Sequence, residues 1–131
     1  MKKSLRALLL LILVGILLMT GVFVLMSSKV NELEKRDYAG LDTTSIPDGV
    51  YRGEAEALLI KAEVEVSVRG GQLESIELIR HSHGRGEAAE IITEHMVEQN
   101  TVDVDTISGA TASSVVIKAA VFDALEQKAK P

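Results

Sequence analysis

Ala62-Glu63-Val64-Glu65-Val66-Ser67-Val68 is the stretch on which the reading of this chain turns. Apolar and polar residues alternate in it without a break. Successive strand side chains point to opposite faces, so the run predicts a half-buried β-strand. Arg69-Gly70-Gly71-Gln72 follows, and its two glycines accept the positive φ that a tight hairpin needs. Residues 73–79 are again partly apolar on alternate positions, which makes an antiparallel pair with one buried face. Upstream, Pro47-Asp48-Gly49 reads as a turn and residues 50–55 as a further short strand. Leu58-Leu59-Ile60, between these strands, fits either the end of a long strand or an edge segment.

Beyond the sheet lies Arg80-His81-Ser82-His83-Gly84-Arg85-Gly86. His81 and His83 are two apart, so a strand end would aim both the same way, as a metal site needs. Only two ligands are visible, and others would have to come from Glu87, Glu90 or His95; a solvated loop is the better account, and no metal is assigned. Residues 87–99 read as a helix, with acids in the first turn, apolar residues at intervals of three and four, and Asn100 at its end. His95 falls on this helix among Ala88, Ile91 and Ile92, the position of a partly buried core residue. Residues 101–105 predict a brief strand or extended segment. A closing helix over residues 113–128 sets Ile117, Ala120, Val121, Ala124 and Leu125 on one face, with Lys128 and Lys130 complementing the dipole at its end.

Asp105-Thr106-Ile107-Ser108-Gly109-Ala110-Thr111-Ala112-Ser113-Ser114 delivers the chain onto that last helix. Its local chemistry fits two roles. The first amides of a helix have no internal acceptor and the macrodipole is positive there, so the turn suits a phosphate or carboxylate. Equally, Ser113 or Thr111 can act only as a helix cap.

At the other end, Lys2, Lys3 and Arg6 precede an uncharged run over residues 7–26, the length that crosses a hydrocarbon core of roughly 30 Å as a helix. The run exceeds the apolar region usual in signal peptides, which favours a retained anchor over residues 1–28. Basic residues cluster on its N-terminal side, so the positive-inside rule predicts a cytoplasmic N-terminus and an extracytoplasmic remainder, tethered to the cytoplasmic (inner) membrane by one pass. Residues 27–38 extend the helix into water until Gly40 ends it. Residues 29–45 are read as a linker, and the turn-rich stretch 41–47 as too polar for a core. One small domain, over residues 46–131, remains.

The 131 residues hold no cysteine, which excludes disulfides, thiolate-held iron–sulfur clusters and Cys-x-x-Cys-His haem attachment. A formal net charge of −5 argues against a nucleic-acid partner, since phosphate backbones are bound by clustered Lys and Arg. The fold class predicted is α+β: a small, mainly antiparallel sheet of three to five strands with two packed helices, preceded by one transmembrane helix.

Asp-x-Ile-Ser-Gly-Ala-Thr-x-Ser-Ser at residues 105–114 resembles the signature of the FMN-binding domain family, which includes subunits of membrane sodium- and proton-linked redox complexes. An Asp-Gly-x-Tyr-x-Gly opening at residues 48–53 extends the similarity, which runs from about residue 41 to 127. The resemblance implies FMN as cofactor, joined through a phosphoester bond to Thr111 by a separate flavin transferase. Asp105, Ser108, Gly109 and Ala110 would then shape the turn that the transferase recognises, and Ser113 and Ser114 would help to bind the phosphate. Position in the family puts the loop at 81–86 near the flavin ring, with Arg85 offsetting negative charge; the family's Thr-Pro-Gly pattern is missing there. The family's glycines and aromatics are also replaced at Ala57-Leu58-Leu59-Ile60-Lys61. The sequence shows no base, nucleophile or substrate pocket of its own, so the expected role is an electron carrier working with a membrane redox partner rather than a self-sufficient enzyme. A non-redox accessory module, holding another phosphate-bearing ligand or none, is the alternative.

Overall fold

The computed structural model describes residues 1–82 and 86–129. Three strands form an antiparallel meander: β1 (Gly49–Ala57), β2 (Ile60–Arg69) and β3 (Gln72–Ser82), with β2 in the centre. The alternation at residues 62–68 sends Ala62, Val64, Val66 and Val68 into the core, while Glu63, Glu65 and Ser67 remain partly exposed. Gly70 and Gly71 take φ values of 60° and 73° in the β2–β3 turn, the left-handed conformation that glycine adopts without a Cβ penalty. Between β1 and β2 the chain does neither of the things expected of it. Ala57 pairs with Ile60, so Leu58-Leu59 is a two-residue hairpin turn, with Leu58 at φ 53°.

A short 3-10 turn (Glu87–Ile91) leads into α2 (Ile92–Gln99), so the helix expected over residues 87–99 begins with a tighter turn. Asn100 ends α2 in the left-handed conformation, φ 52°. Its side chain then braces the β2–β3 hairpin, accepting from Leu73 N at 2.8 Å and donating to Gly71 O at 3.2 Å. Residues 101–105, read as a brief strand or an extended segment, form no strand. The last helix, α3 (Thr111–Glu126), starts two residues earlier than expected and lies over β1 and β2, while α2 lies over β3.

The Asp48–Gly53 motif is explained by this packing. Asp48 Oδ1 accepts from Gly70 N at 2.7 Å and so ties the start of β1 to the far hairpin. Tyr51 Oη donates to Pro47 O at 2.6 Å. Gly53 lies directly under α3, where a Cβ would overlap the Ala120 carbonyl and the Ala124 backbone; no other residue permits that approach.

The N-terminal helix α1 (Lys2–Glu34) is continuous for 33 residues and ends well before Gly40. Its large apolar side chains from Leu5 to Leu25 are exposed, and it is long and apolar enough to cross a membrane. Thr20, the polar residue of the uncharged run 7–26, donates to Ile16 O and Leu17 O, which satisfies its hydroxyl inside the helix as an apolar medium requires. From Met26 onward α1 touches the rest of the chain. Leu33 and Tyr38 are buried, and so are Thr43 and Ile46, so the stretch 41–47, read as too polar for a core, contributes to it. Thr43 is tolerated there because its hydroxyl donates to Asn100 O at 3.2 Å.

Candidate functional site

The first intrahelical bond of α3 runs from Ser114 N to Ala110 O at 2.9 Å. The amides of Thr111, Ala112 and Ser113 precede it and have no acceptor within the helix. Ala110 occupies the N-cap position and supplies no side-chain cap, so neither Thr111 nor Ser113 plays the capping part that local chemistry suggested. Thr111 is instead the first residue of the helix, with its side chain exposed. Gly109, at φ 79°, leaves open space where a Cβ would stand. A phosphate can approach the backbone there without obstruction.

These residues border a cleft of about 320 Å³ lined by Gly109, Ala110, Thr111, Ala112 and Ser113 on one side, and by Met26, Leu59, Ile60 and Gly86 on the other. The volume is at the small end of ligand pockets, roughly 300–1,000 Å³. The walls are apolar, and the polar groups gather at the helix end. That donor set fits FMN: an aromatic ring needs apolar contact, and its phosphate needs uncapped amides at a dipole's positive end.

Two side chains of α3 hold the turn in place from behind. Ser114 is fully buried; its hydroxyl donates to Ala110 O at 2.8 Å and accepts from Ile107 N at 3.0 Å. It therefore serves the turn rather than the cleft. Lys118 is buried as well. It donates to Val104 O at 2.7 Å, lies 3.8 Å from Asp103 and sits 4.8 Å from the centre of the Tyr38 ring. The lead-in segment is thus strapped to the helix it precedes. Sequence reasoning missed Lys118; its only signal was a lone cation inside the apolar run Val115-Val116-Ile117-Lys118-Ala119-Ala120-Val121.

Of the residues singled out from the sequence, Gly109, Ala110, Thr111 and Ser113 meet at the cleft. Ser108 and Asp105 are exposed nearby, and Asp105 borders a different depression with His95 and Thr106. Arg85 and His83 lie outside the described residues. His81 is the penultimate residue of β3, its side chain only 2% exposed and its Nδ1 3.0 Å from Glu90 Oε1. It is a buried, partnered residue rather than part of a solvated loop. Among the described residues no cluster of three or more His, Asp or Glu side chains stands ready for a metal ion.

Residues 59–126, more than half of the chain, match the FMN-binding domain family. The chain belongs to that family, and FMN is its cofactor. It is an FMN-binding protein that carries an N-terminal helix long and apolar enough to cross a membrane. No curated protein gives a significant match to it.

Proposed function

We propose that this chain is a membrane-anchored electron carrier whose FMN is held through a phosphoester bond to Thr111, installed by a separate flavin transferase. One observation carries the reading: Thr111 is an exposed hydroxyl on the first residue of α3, at the rim of the cleft and beside three amides without helical acceptors. FMN supplies one- and two-electron chemistry when bound. The chain's own residues have other tasks. The amides of Thr111, Ala112 and Ser113 hold the phosphate, Gly109 gives it room, and Met26, Leu59 and Ile60 shelter the ring from water. Ser114 and Lys118 keep the turn from moving relative to α3.

The basic Lys2, Lys3 and Arg6 favour a cytoplasmic N-terminus, with α1 retained as a single pass and the domain outside the cytoplasm. There a freely dissociating cofactor would be lost, and a covalent tether keeps it at high effective concentration. The redox partner on this reading is a membrane protein.

The test is colour and mass. Protein from cells that contain the transferase should be yellow and fluoresce in a denaturing gel, with the FMN mass on the tryptic peptide containing Thr111. Thr111→Ala should lose both signals, and Thr111→Ser, which keeps a hydroxyl, should retain part of them. A colourless wild-type sample from the same cells would support the accessory-module reading instead. Flavin found on Ser108, Ser113 or Ser114 would sink the assignment to Thr111.

A further inference from the structure

The β1–β2 hairpin tip has no explanation in folding terms. Leu58 and Leu59 are 49% and 75% exposed. Among the described residues after α1 they are the only two exposed large apolar side chains adjacent in sequence. Leu58 also holds φ 53°, at the first position of a two-residue turn where glycine is the ordinary choice. A leucine there neither fills the core nor eases the turn. An unfavoured backbone conformation that persists with an exposed apolar side chain calls for a use outside the fold.

The position of the tip supplies one. Leu59 and Met26 line the same cleft, and Met26 ends the uncharged run of α1. Counting back over residues 7–26 at 1.5 Å per residue gives about 30 Å, the thickness of the hydrocarbon core, so Met26 marks its boundary. The next charge on α1 is Lys29, one turn further on. Behind the tip the order repeats: the apolar pair Ala57 and Ile60 follows the leucines, and Glu56 and Lys61 then face each other across the ladder. Apolar residues and first charges therefore fall in the same sequence on both elements.

The geometry points to the Leu58-Leu59 tip as a second membrane contact, dipping into the headgroup and upper acyl region of the bilayer that α1 crosses. The occupant is lipid, because the tip continues the apolar surface of α1 at the level where that surface ends. The contact would set the cofactor cleft, which Met26 and Leu59 help to line, against the membrane face. Electron exchange would then be directed to partners in the membrane plane. This inference rests on α1 being a retained span.

The absence of cysteine in the chain allows single labelling sites. Met19→Cys, Leu58→Cys and Gln72→Cys, each in the full chain, are spin-labelled and reconstituted into pure phosphatidylcholine vesicles. Collisions with oxygen, which partitions into lipid, are compared with those of a water-soluble nickel chelate. All three positions are exposed, so the fold should tolerate the label. Position 72 starts β3 at the opposite end of the sheet and serves as the aqueous reference. Oxygen should dominate at 19 and at 58, and nickel at 72. Nickel dominance at 58 with oxygen dominance at 19 would overturn the contact while leaving the span intact. Shielding of 58 from both reagents would place the tip against protein and overturn it equally. Nickel dominance at 19 would remove the span and the contact together.

Discussion

Ser114 and Leu58 show how single residues divide between holding this fold and serving something beyond it. Ser114 spends its hydroxyl entirely on the turn, bonded to Ala110 O and Ile107 N. Ser114→Ala leaves a partly buried amide without its acceptor and should cost about 1–3 kcal/mol in denaturant unfolding. On the proposed attachment to Thr111, which this change leaves untouched, the flavin should stay in place. Leu58 works the other way. Leu58→Gly relieves an unfavourable φ but loosens the unfolded chain, so stability in detergent should be unchanged or higher by up to about 1 kcal/mol. The same change at a packed leucine would cost several kcal/mol, and a loss of that size would show that Leu58 is part of the core.

At the scale of elements, the segment between α1 and β1 is clasped onto α3. The Tyr38 ring meets Phe122 edge-on with centroids 5.2 Å apart, lies beside the Lys118 ammonium, and donates its hydroxyl to Leu33 O. Arg36 sits 6.0 Å from the centre of the Phe122 ring. Burial pushes the Tyr38 phenol up to about 12, against a partial opposing pull from the Arg36 charge. The sign follows from which form the fold prefers. The folded state favours the neutral phenol, so its contribution is complete below the unfolded value of 10 and is lost as pH rises toward 12. Wild-type protein should lose stability between pH 10 and 12 more steeply than Tyr38→Phe, measured by denaturant midpoints across that range. At neutral pH the Phe variant should be weaker by about 1 kcal/mol for the lost hydrogen bond. Parallel curves for the two proteins would show that Tyr38 is not held neutral by the fold.

For the molecule as a whole, the proposed direction of insertion and the bound cofactor are what matter. On the proposed topology, a reporter fused to the C-terminus should be active only if it works outside the cytoplasm, and activity of a cytoplasm-only reporter there would reverse it. The domain is small, and its stability should depend on its ligand. A ligand that binds only the native state at about 100 times its dissociation constant adds roughly 2.7 kcal/mol. Protein freed of FMN should therefore melt several degrees below the FMN-loaded form. Equal melting temperatures would mean that the cofactor contributes nothing to order in the domain.

The sequence by itself determined what depends on neighbours along the chain. Strict alternation fixed β2 and its buried face, paired glycines fixed the β2–β3 turn, Asn100 ended α2, and an uncharged run of membrane length defined α1. The Ser-Gly-Ala-Thr turn ahead of the last helix was equally legible, because its composition carries the family signature. Only the tertiary structure decided what depends on partners distant in sequence. The β1–β2 turn was hidden because leucines replace the glycine that marks such a turn. The polar segment before β1 joined the core because Thr43 found Asn100, 57 residues away, and Tyr38 found Lys118 and Phe122. Lys118 itself is buried because three distant groups accept or neutralise its charge, and no local pattern announces such an arrangement. The far wall of the cleft comes from Met26 and Leu59, brought opposite Thr111 by the packing of α1 and the meander around α3.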